Sequence, residues 1–294
     1  MKVLLTGASG FLGQHVLQQL LEQGLEVIIL GRSLPVGANC CVWHEVDFLT
    51  PDSLAEALVK TKATHLLHLA WCTEHNVYWQ SPLNLKWVDA SIRLLQAFSN
   101  SGGRHAVMVG SCAEYDWSHG YLRETTSPLA PASMYGVAKD ATRRLAEAWS
   151  MSENISLAWA HVFYPFGPGE ARERMLPSLI EVFRGRAPAF GVNIGAYRGL
   201  LPVQDAARAL VHLLLQECTG RFNVCSGQPV TIETVVRDLA KLCGADPAPV
   251  LSLASARPGD PHFLVGDNQR LLSTGWQPLH TLQEGLELQL SQSL

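Results

Sequence analysis

Apolar residues come in short runs along the first half of the chain, with helical repeats between them. Val3-Leu4-Leu5 is a short buried-strand signal. Thr6-Gly7-Ala8-Ser9-Gly10-Phe11-Leu12-Gly13 follows, then a helical run to Gln23 that Gly24 stops. Further apolar strands are predicted at 26–30, 42–48, 64–70, 105–110 and 155–163. Helices are predicted over 51–60, 84–99 and 133–152. Strands that are apolar on both faces and alternate with helices predict an α/β fold, a parallel sheet covered on both sides. Ligands of such sheets sit beyond the carboxyl ends of the strands. The positions just after Leu5, Leu30, Val46, Leu69 and Gly110 are therefore the first candidates for chemistry.

The texture changes after about residue 165, where Pro165, Gly167-Pro168-Gly169, Pro177, Pro188 and Gly191 crowd together. Helices at 205–216 and 232–242 flank a short strand at 222–225. The expected organisation is a sheet domain over 1–165 and a smaller substrate domain over 166–294, with the segment near 198–217 returning to the first.

Composition narrows the class. With 294 residues, 47% hydrophobic and 16% charged, the chain is too apolar to be disordered. A formal charge of -4 speaks against a nucleic-acid binder, so the positions of a few cations matter more than their sum. Seven cysteines, at 40, 41, 72, 112, 218, 225 and 243, show no C-x-x-C spacing and fit neither a disulfide framework nor a metal site. Without a signal peptide or a membrane-length apolar run, a cytoplasmic protein is expected.

Gly7, Gly10 and Gly13 lie between the first strand and the first helix. Glycines there let the backbone approach a pyrophosphate, whose charge the helix N-terminus stabilises. At the end of the second strand an acid would bind the ribose 2'-hydroxyl of NAD, and an Arg the 2'-phosphate of NADP. The residues there are Gly31-Arg32-Ser33, which predicts NADP, with NAD as the alternative. Asp47, after the third strand, is a candidate acceptor for the adenine amino group. Ser9, Phe11, Leu12, Phe48, Leu69 and Ala70 complete the expected cofactor contacts.

Tyr135 and Lys139 stand four apart, one turn of a helix. A free tyrosine has a pKa of about 10 and is a poor base at neutral pH. A nearby ammonium favours the phenolate, so the pair makes a tunable acid/base. Ser111 follows the fifth strand, where its hydroxyl can orient a substrate carbonyl.

Together these residues resemble the extended short-chain dehydrogenase/reductases, the group that holds the nucleotide-sugar epimerases, dehydratases and reductases. The resemblance spans nearly the whole chain. It rests on Thr6-Gly7-x-x-Gly10-x-x-Gly13, His68-Leu69-Ala70, Ser111 four residues before Tyr115, Tyr135-x-x-x-Lys139, Phe166-Gly167-Pro168-Gly169 and Arg257-Pro258-Gly259-Asp260. It implies a Rossmann-type doubly wound NAD(P) domain with a smaller C-terminal nucleotide-sugar domain. It also implies Ser111, Tyr135 and Lys139 as the catalytic set, Lys139 also binding the nicotinamide ribose. Arg198 and Arg257 are implied to hold the sugar nucleotide's diphosphate, a role that guanidinium forks suit. A homodimer through the helices near 84–99 and 133–152 is implied as well.

Several positions depart from the pattern. Gly199 and Pro202 replace an Asp and a His, Tyr164 stands where many members carry Asn, and Trp71 replaces a small residue. These changes suggest a reshaped pocket in which Trp71, Thr73, Cys112 and Tyr164 contact substrate. The related dehydratases carry an acid two residues before the tyrosine equivalent to Tyr115; here that residue is Ala113, with Glu114 one place off. Dehydration is thereby disfavoured. The expected activity is NADPH-dependent reduction of a nucleotide-activated 4-keto-6-deoxy sugar for a surface polysaccharide. A 4-epimerase holding NAD and a reductase of a non-sugar ketone are the alternatives, and a non-enzymatic NADP-binding regulator is less consistent with the Tyr/Lys pair.

Overall fold

The structure is a computed structural model that describes residues 1–50, 61–75, 77–256 and 259–292. The main sheet contains β1 (Lys2–Thr6), β2 (Glu26–Gly31), β3 (Val42–Glu45), β4 (His65–His68), β5 (His105–Ser111), β6 (Ser156–Val162) and β7 (Gly220–Val224). Their order is β7-β6-β5-β4-β1-β2-β3, and every pairing is parallel. The chain runs outward from β1 to β3, then crosses back to lay β4 on the other side of β1. That reversal opens a crevice beyond the carboxyl ends of β1 and β4, where Thr6 pairs with His68.

The longer helices are α1 (Phe11–Glu22), α2 (Leu83–Asn100), α3 (Met134–Ser152), α4 (Met175–Phe183), α5 (Val203–Leu215), α6 (Ile232–Cys243) and α7 (Leu282–Gln292). Alternate side chains of a strand serve opposite faces. Val3 and Leu5 pack with Val16 and Leu20 of α1 and Leu210 and Leu214 of α5. Leu4 packs with Leu94, Leu95 and Phe98 of α2 and Ala146 of α3. Each such leucine contributes roughly 1.5–3 kcal/mol through burial. The second half of the chain thus supplies α5 and β7 to the main sheet.

A smaller mixed sheet joins Val230–Thr231, Tyr197–Arg198, Phe263–Gly266 and Tyr121–Leu122 in that order. Its neighbouring core comes from α4 and α6, through Leu179, Ile180, Val235, Val236 and Leu239. This α/β architecture, a seven-stranded Rossmann sheet with a smaller C-terminal unit, is the one expected.

Two strands stop earlier than the apolar pattern predicts. β3 ends at Glu45 because the Asp47 carboxylate accepts from the Leu49 N–H at 3.1 Å and turns the chain. β4 ends at His68, after which the Thr6 hydroxyl takes the Ala70 N–H at 3.2 Å. The helix predicted over 51–60 lies outside the described residues. Among the described residues no helix is long and apolar enough to cross a membrane.

Candidate active site

The glycine turn is built for close approach. Gly7 has φ +72°, and a Cβ there would lie 2.7 Å from the Ala70 nitrogen. A Cβ on Gly13 would lie 1.9 Å from the Gly7 carbonyl oxygen. The turn is closed by the Gly10 N–H, which donates to that oxygen at 3.0 Å. Gly10 caps α1 without a side-chain hydrogen bond, leaving the first-turn N–H groups for an anion at the crevice. A dinucleotide pyrophosphate fits this cradle, which side chains at Gly7 or Gly13 would fill. Ser9 is exposed and Phe11 and Leu12 are half-buried around it. His15 tethers α1 to the Pro168 carbonyl at 2.8 Å.

The other cofactor candidates are arranged along the same edge. Arg32 and Ser33 are exposed just after β2. Phe48 is buried edge-on against His68, with ring centroids 6.4 Å apart. Asp47 is exposed and engaged in its own turn, bonding Leu49 N–H and the Thr50 hydroxyl. Leu69 and Ala70 follow β4 beside Gly7.

The start of α3 carries the candidate acid/base pair. Ser133 caps the helix by accepting the Gly136 N–H at 3.1 Å. A Cβ on Gly136 would lie 2.2 Å from the Ala113 carbonyl oxygen, so glycine lets α3 close on the turn after β5. This brings the Tyr135 hydroxyl near the Ser111 side chain, which acts to lower its pKa. One turn on, Lys139 Nζ donates to the Val109 carbonyl at 2.8 Å. Burial dominates both groups. It pushes the Tyr135 hydroxyl well above the ordinary phenol range, with the Ser111 side chain opposing. Burial also lowers the Lys139 ammonium to about 7, with the Glu114 carboxylate opposing. The expectation of a lowered tyrosine is thus corrected: in this packed site burial dominates, and the lowering influence comes from Ser111.

Glu114 has a seat of its own. It is fully buried, and its Oε1 accepts the Ser111 N–H at 2.7 Å. Oε2 takes the Trp159 indole N–H at 3.1 Å and pairs with His161 Nε2 at 3.2 Å. Gly110 makes the room, since a Cβ there would sit 2.4 Å from Glu114 Oε1. The carboxylate therefore anchors Ser111 from inside the core.

An aromatic wall surrounds Tyr135. Tyr78 stands perpendicular to it at 4.9 Å between centroids, Trp79 at 5.7 Å and Trp71 at 6.4 Å. The Trp79 carbonyl also accepts the Tyr135 N–H at 3.1 Å. The Arg174 guanidinium lies 5.8 Å from the Tyr78 ring centre; burial raises the Tyr78 hydroxyl, and Arg174 acts to lower it. Tyr78, Trp79 and Arg174 were not legible as site residues. The dense aromatics of 71–79 were the available signal for the first two.

The substrate candidates are partly gathered here. Cys112 is buried beside Ser111, and burial raises its thiol. Tyr164 adopts φ 37°, a left-handed backbone costly for an aromatic residue, and the Arg198 guanidinium lies 5.6 Å from its ring centre. Arg198 itself is buried, paired with Asp260 and donating to the Tyr197 and Pro261 carbonyls. Thr73 is exposed. Arg257 lies outside the described residues.

Known proteins are similar to this chain in sequence and fold. The "NAD dependent epimerase/dehydratase family" profile matches residues 3–225. GDP-6-deoxy-D-mannose reductase of Pseudomonas aeruginosa is 26% identical, covering 99% of this chain and 96% of its own. The dTDP-6-deoxy-L-talose 4-dehydrogenase (NAD(+)) of Aggregatibacter actinomycetemcomitans is 23% identical over 81% of this chain and 89% of its own. Among solved structures, MoeE5 in complex with UDP-glucose and NAD superposes with a TM-score of 0.85 at 28% identity, covering 100% of this chain and 98% of that one. UDP-glucose 4-epimerase of Thermus thermophilus, complexed with NAD, gives a TM-score of 0.86 at 24% identity over 100% of this chain and 99% of that one, a likeness of fold. With its glycine cradle, Ser111, Tyr135 and Lys139 on one sheet edge, the chain belongs to the NAD-dependent epimerase/dehydratase family of nucleotide-sugar enzymes.

Proposed function

We propose that this protein is an NADPH-dependent reductase of a nucleotide-activated 4-keto-6-deoxy sugar. The observation that carries this reading is the joint placement of Ser111, Tyr135 and Lys139, with no acid at position 113 and Glu114 sequestered in the core. Such a site donates and accepts a proton at one oxygen but has no second acid for eliminating water. The similarity to a GDP-6-deoxy-D-mannose reductase supports the same choice.

Gly7, Gly10 and Gly13 would hold the cofactor's pyrophosphate, and Arg32 with Ser33 a 2'-phosphate. When bound, the nicotinamide supplies hydride to the keto carbon. Tyr135, kept protonated by burial, donates its proton to the developing alkoxide. Ser111 hydrogen-bonds the same oxygen and orients it. Lys139, as an ammonium, stabilises the phenolate left behind. Trp71, Tyr78 and Trp79 exclude water from that oxygen. Arg198 and Arg257 would hold the diphosphate, while Cys112, Thr73 and Tyr164 would contact the sugar. A homodimer through Leu85 of α2 and Val137 and Leu145 of α3, all exposed, completes the reading.

Replacing Tyr135 by Phe tests it. NADPH oxidation with a panel of nucleotide 4-keto sugars is expected to fall by at least about 100-fold, while cofactor binding stays intact. Near-normal turnover would overturn the assignment. Tightly held NAD in the purified protein would favour the 4-epimerase alternative.

A further inference from the structure

The Lys139 ammonium is nearly fully buried, and burial works against its charge. What faces it is unusual for a buried cation. Its Nζ lies 3.8 Å from the centre of the Trp71 ring, well inside the roughly 6 Å range of a cation–π contact. The indole is itself held in place. Its Nε1–H donates to Asn84 Oδ1 at 2.9 Å, and Asn84 is fully buried. The Asn84 amide donates in turn to the Tyr78 carbonyl at 2.7 Å and the Ser81 carbonyl at 3.0 Å. The opposite constraint is a stacking contact with Trp87, at 5.9 Å and 27°.

We propose that Trp71 is a positioning residue whose fixed indole face keeps the Lys139 side chain in place as an ammonium beside Tyr135. The charged and titratable groups around Lys139 leave this task open. Glu114, from the turn after β5, favours the ammonium, but its oxygens are engaged by Ser111, Trp159 and His161. His68 of β4 is held neutral, lowered to about 3 by burial and by Lys139 itself. Tyr135, on the same helix face, stays protonated. From the segment after β4 the facing group is the uncharged Trp71, on which the uncharged Trp87 of α2 stacks. A preorganised π face offers the cation a favourable partner that carries no charge and does not titrate near neutral pH.

This inference rests on reading Lys139 as the partner of Tyr135, but its test does not depend on turnover. The protein is labelled with 13C-lysine and titrated by NMR, the Lys139 signal being assigned with Lys139→Met. Tryptophan is then replaced biosynthetically by increasingly fluorinated tryptophans, which weaken the π face while changing its shape little. Among the described residues Lys139 on Trp71 is the one cation lying on a tryptophan face; the series is repeated in Trp71→Phe, where an undiminished response would come from Trp159 through Glu114 and overturn the proposal. The Lys139 midpoint is expected to fall stepwise with fluorination, and by about 0.5 to 1.5 pH units in Trp71→Leu. In Trp71→Phe the fall should be smaller, and the pH profile of kcat should move with the midpoint. A midpoint unmoved through the fluorination series overturns the proposal. Should Trp71→Leu fail to fold, the fluorinated series decides alone. Full activity in Tyr135→Phe would instead refute the proposed reaction and leave the lysine titration untouched.

Discussion

His105 opens β5 at the end of the sheet away from the crevice, and its side chain is fully buried. Nδ1 pairs with the Ser156 hydroxyl at 2.7 Å, and the ring meets that of His65 at 5.9 Å. Burial, and then His65, lower it from 6.5 to about 4, with Glu217 opposing. In the unfolded chain it titrates near 6.5. Above that pH both states are neutral and its contribution to stability is intact. Below it the unfolded chain gains a proton that the folded chain rejects. Stability therefore falls as pH drops from about 6.5 towards 4, by about 1.4 kcal/mol per pH unit. Between pH 7 and pH 5 this one residue should cost about 2 kcal/mol. His105→Asn keeps a group able to bond Ser156 but does not titrate. Urea unfolding of both proteins, followed by circular dichroism at pH 7 and pH 5, separates the effect from titrating groups that do not touch His105. Wild type should lose about 2 kcal/mol more than the variant. Parallel losses would refute the reasoning.

Two further substitutions test the cofactor cradle. Gly13→Ala drives a methyl into the Gly7 carbonyl oxygen at 1.9 Å, backbone against backbone. Calorimetry should show dinucleotide binding weakened at least about 10-fold and a stability loss of roughly 1–3 kcal/mol. Unchanged binding would mean that the turn does not hold the pyrophosphate. Arg32→Ala should weaken NADPH binding by about 10-fold or more while leaving NADH nearly unaffected, because a charge-assisted phosphate contact contributes about 1.5–3 kcal/mol. Equal effects on both cofactors would remove Arg32 from the 2'-phosphate.

The parts of this molecule legible in its sequence are those whose geometry is local. A strand, three glycines and a helix make one turn whatever surrounds them. Tyr135 and Lys139 face the same way because four residues make about one helical turn. Ser111 was found because strand ends define the crevice. The rest depended on partners from distant segments. The ends of β3 and β4 were set by side-chain hydrogen bonds from Asp47 and Thr6, which apolar patterning does not register. Glu114 finds its place through Trp159, His161 and the space at Gly110, on two different strands. Tyr78 and Trp79 sit in an irregular segment with no period to reveal a face. The direction of the Tyr135 shift follows from how tightly α3 closes on the turn after β5, which spacing alone does not report.

The position of β7 beside β6 has a consequence for how the chain is made. During synthesis the first six strands emerge well before Gly220–Val224, so β6 waits with an unpaired edge. The face that α5 will cover is likewise bare until residue 215 has been added. At about 5–20 residues per second, the interval from the end of β6 to the end of β7 lasts several seconds. A nascent chain in that interval is a natural client for chaperones, and slow translation between residues 162 and 224 would lengthen its exposure.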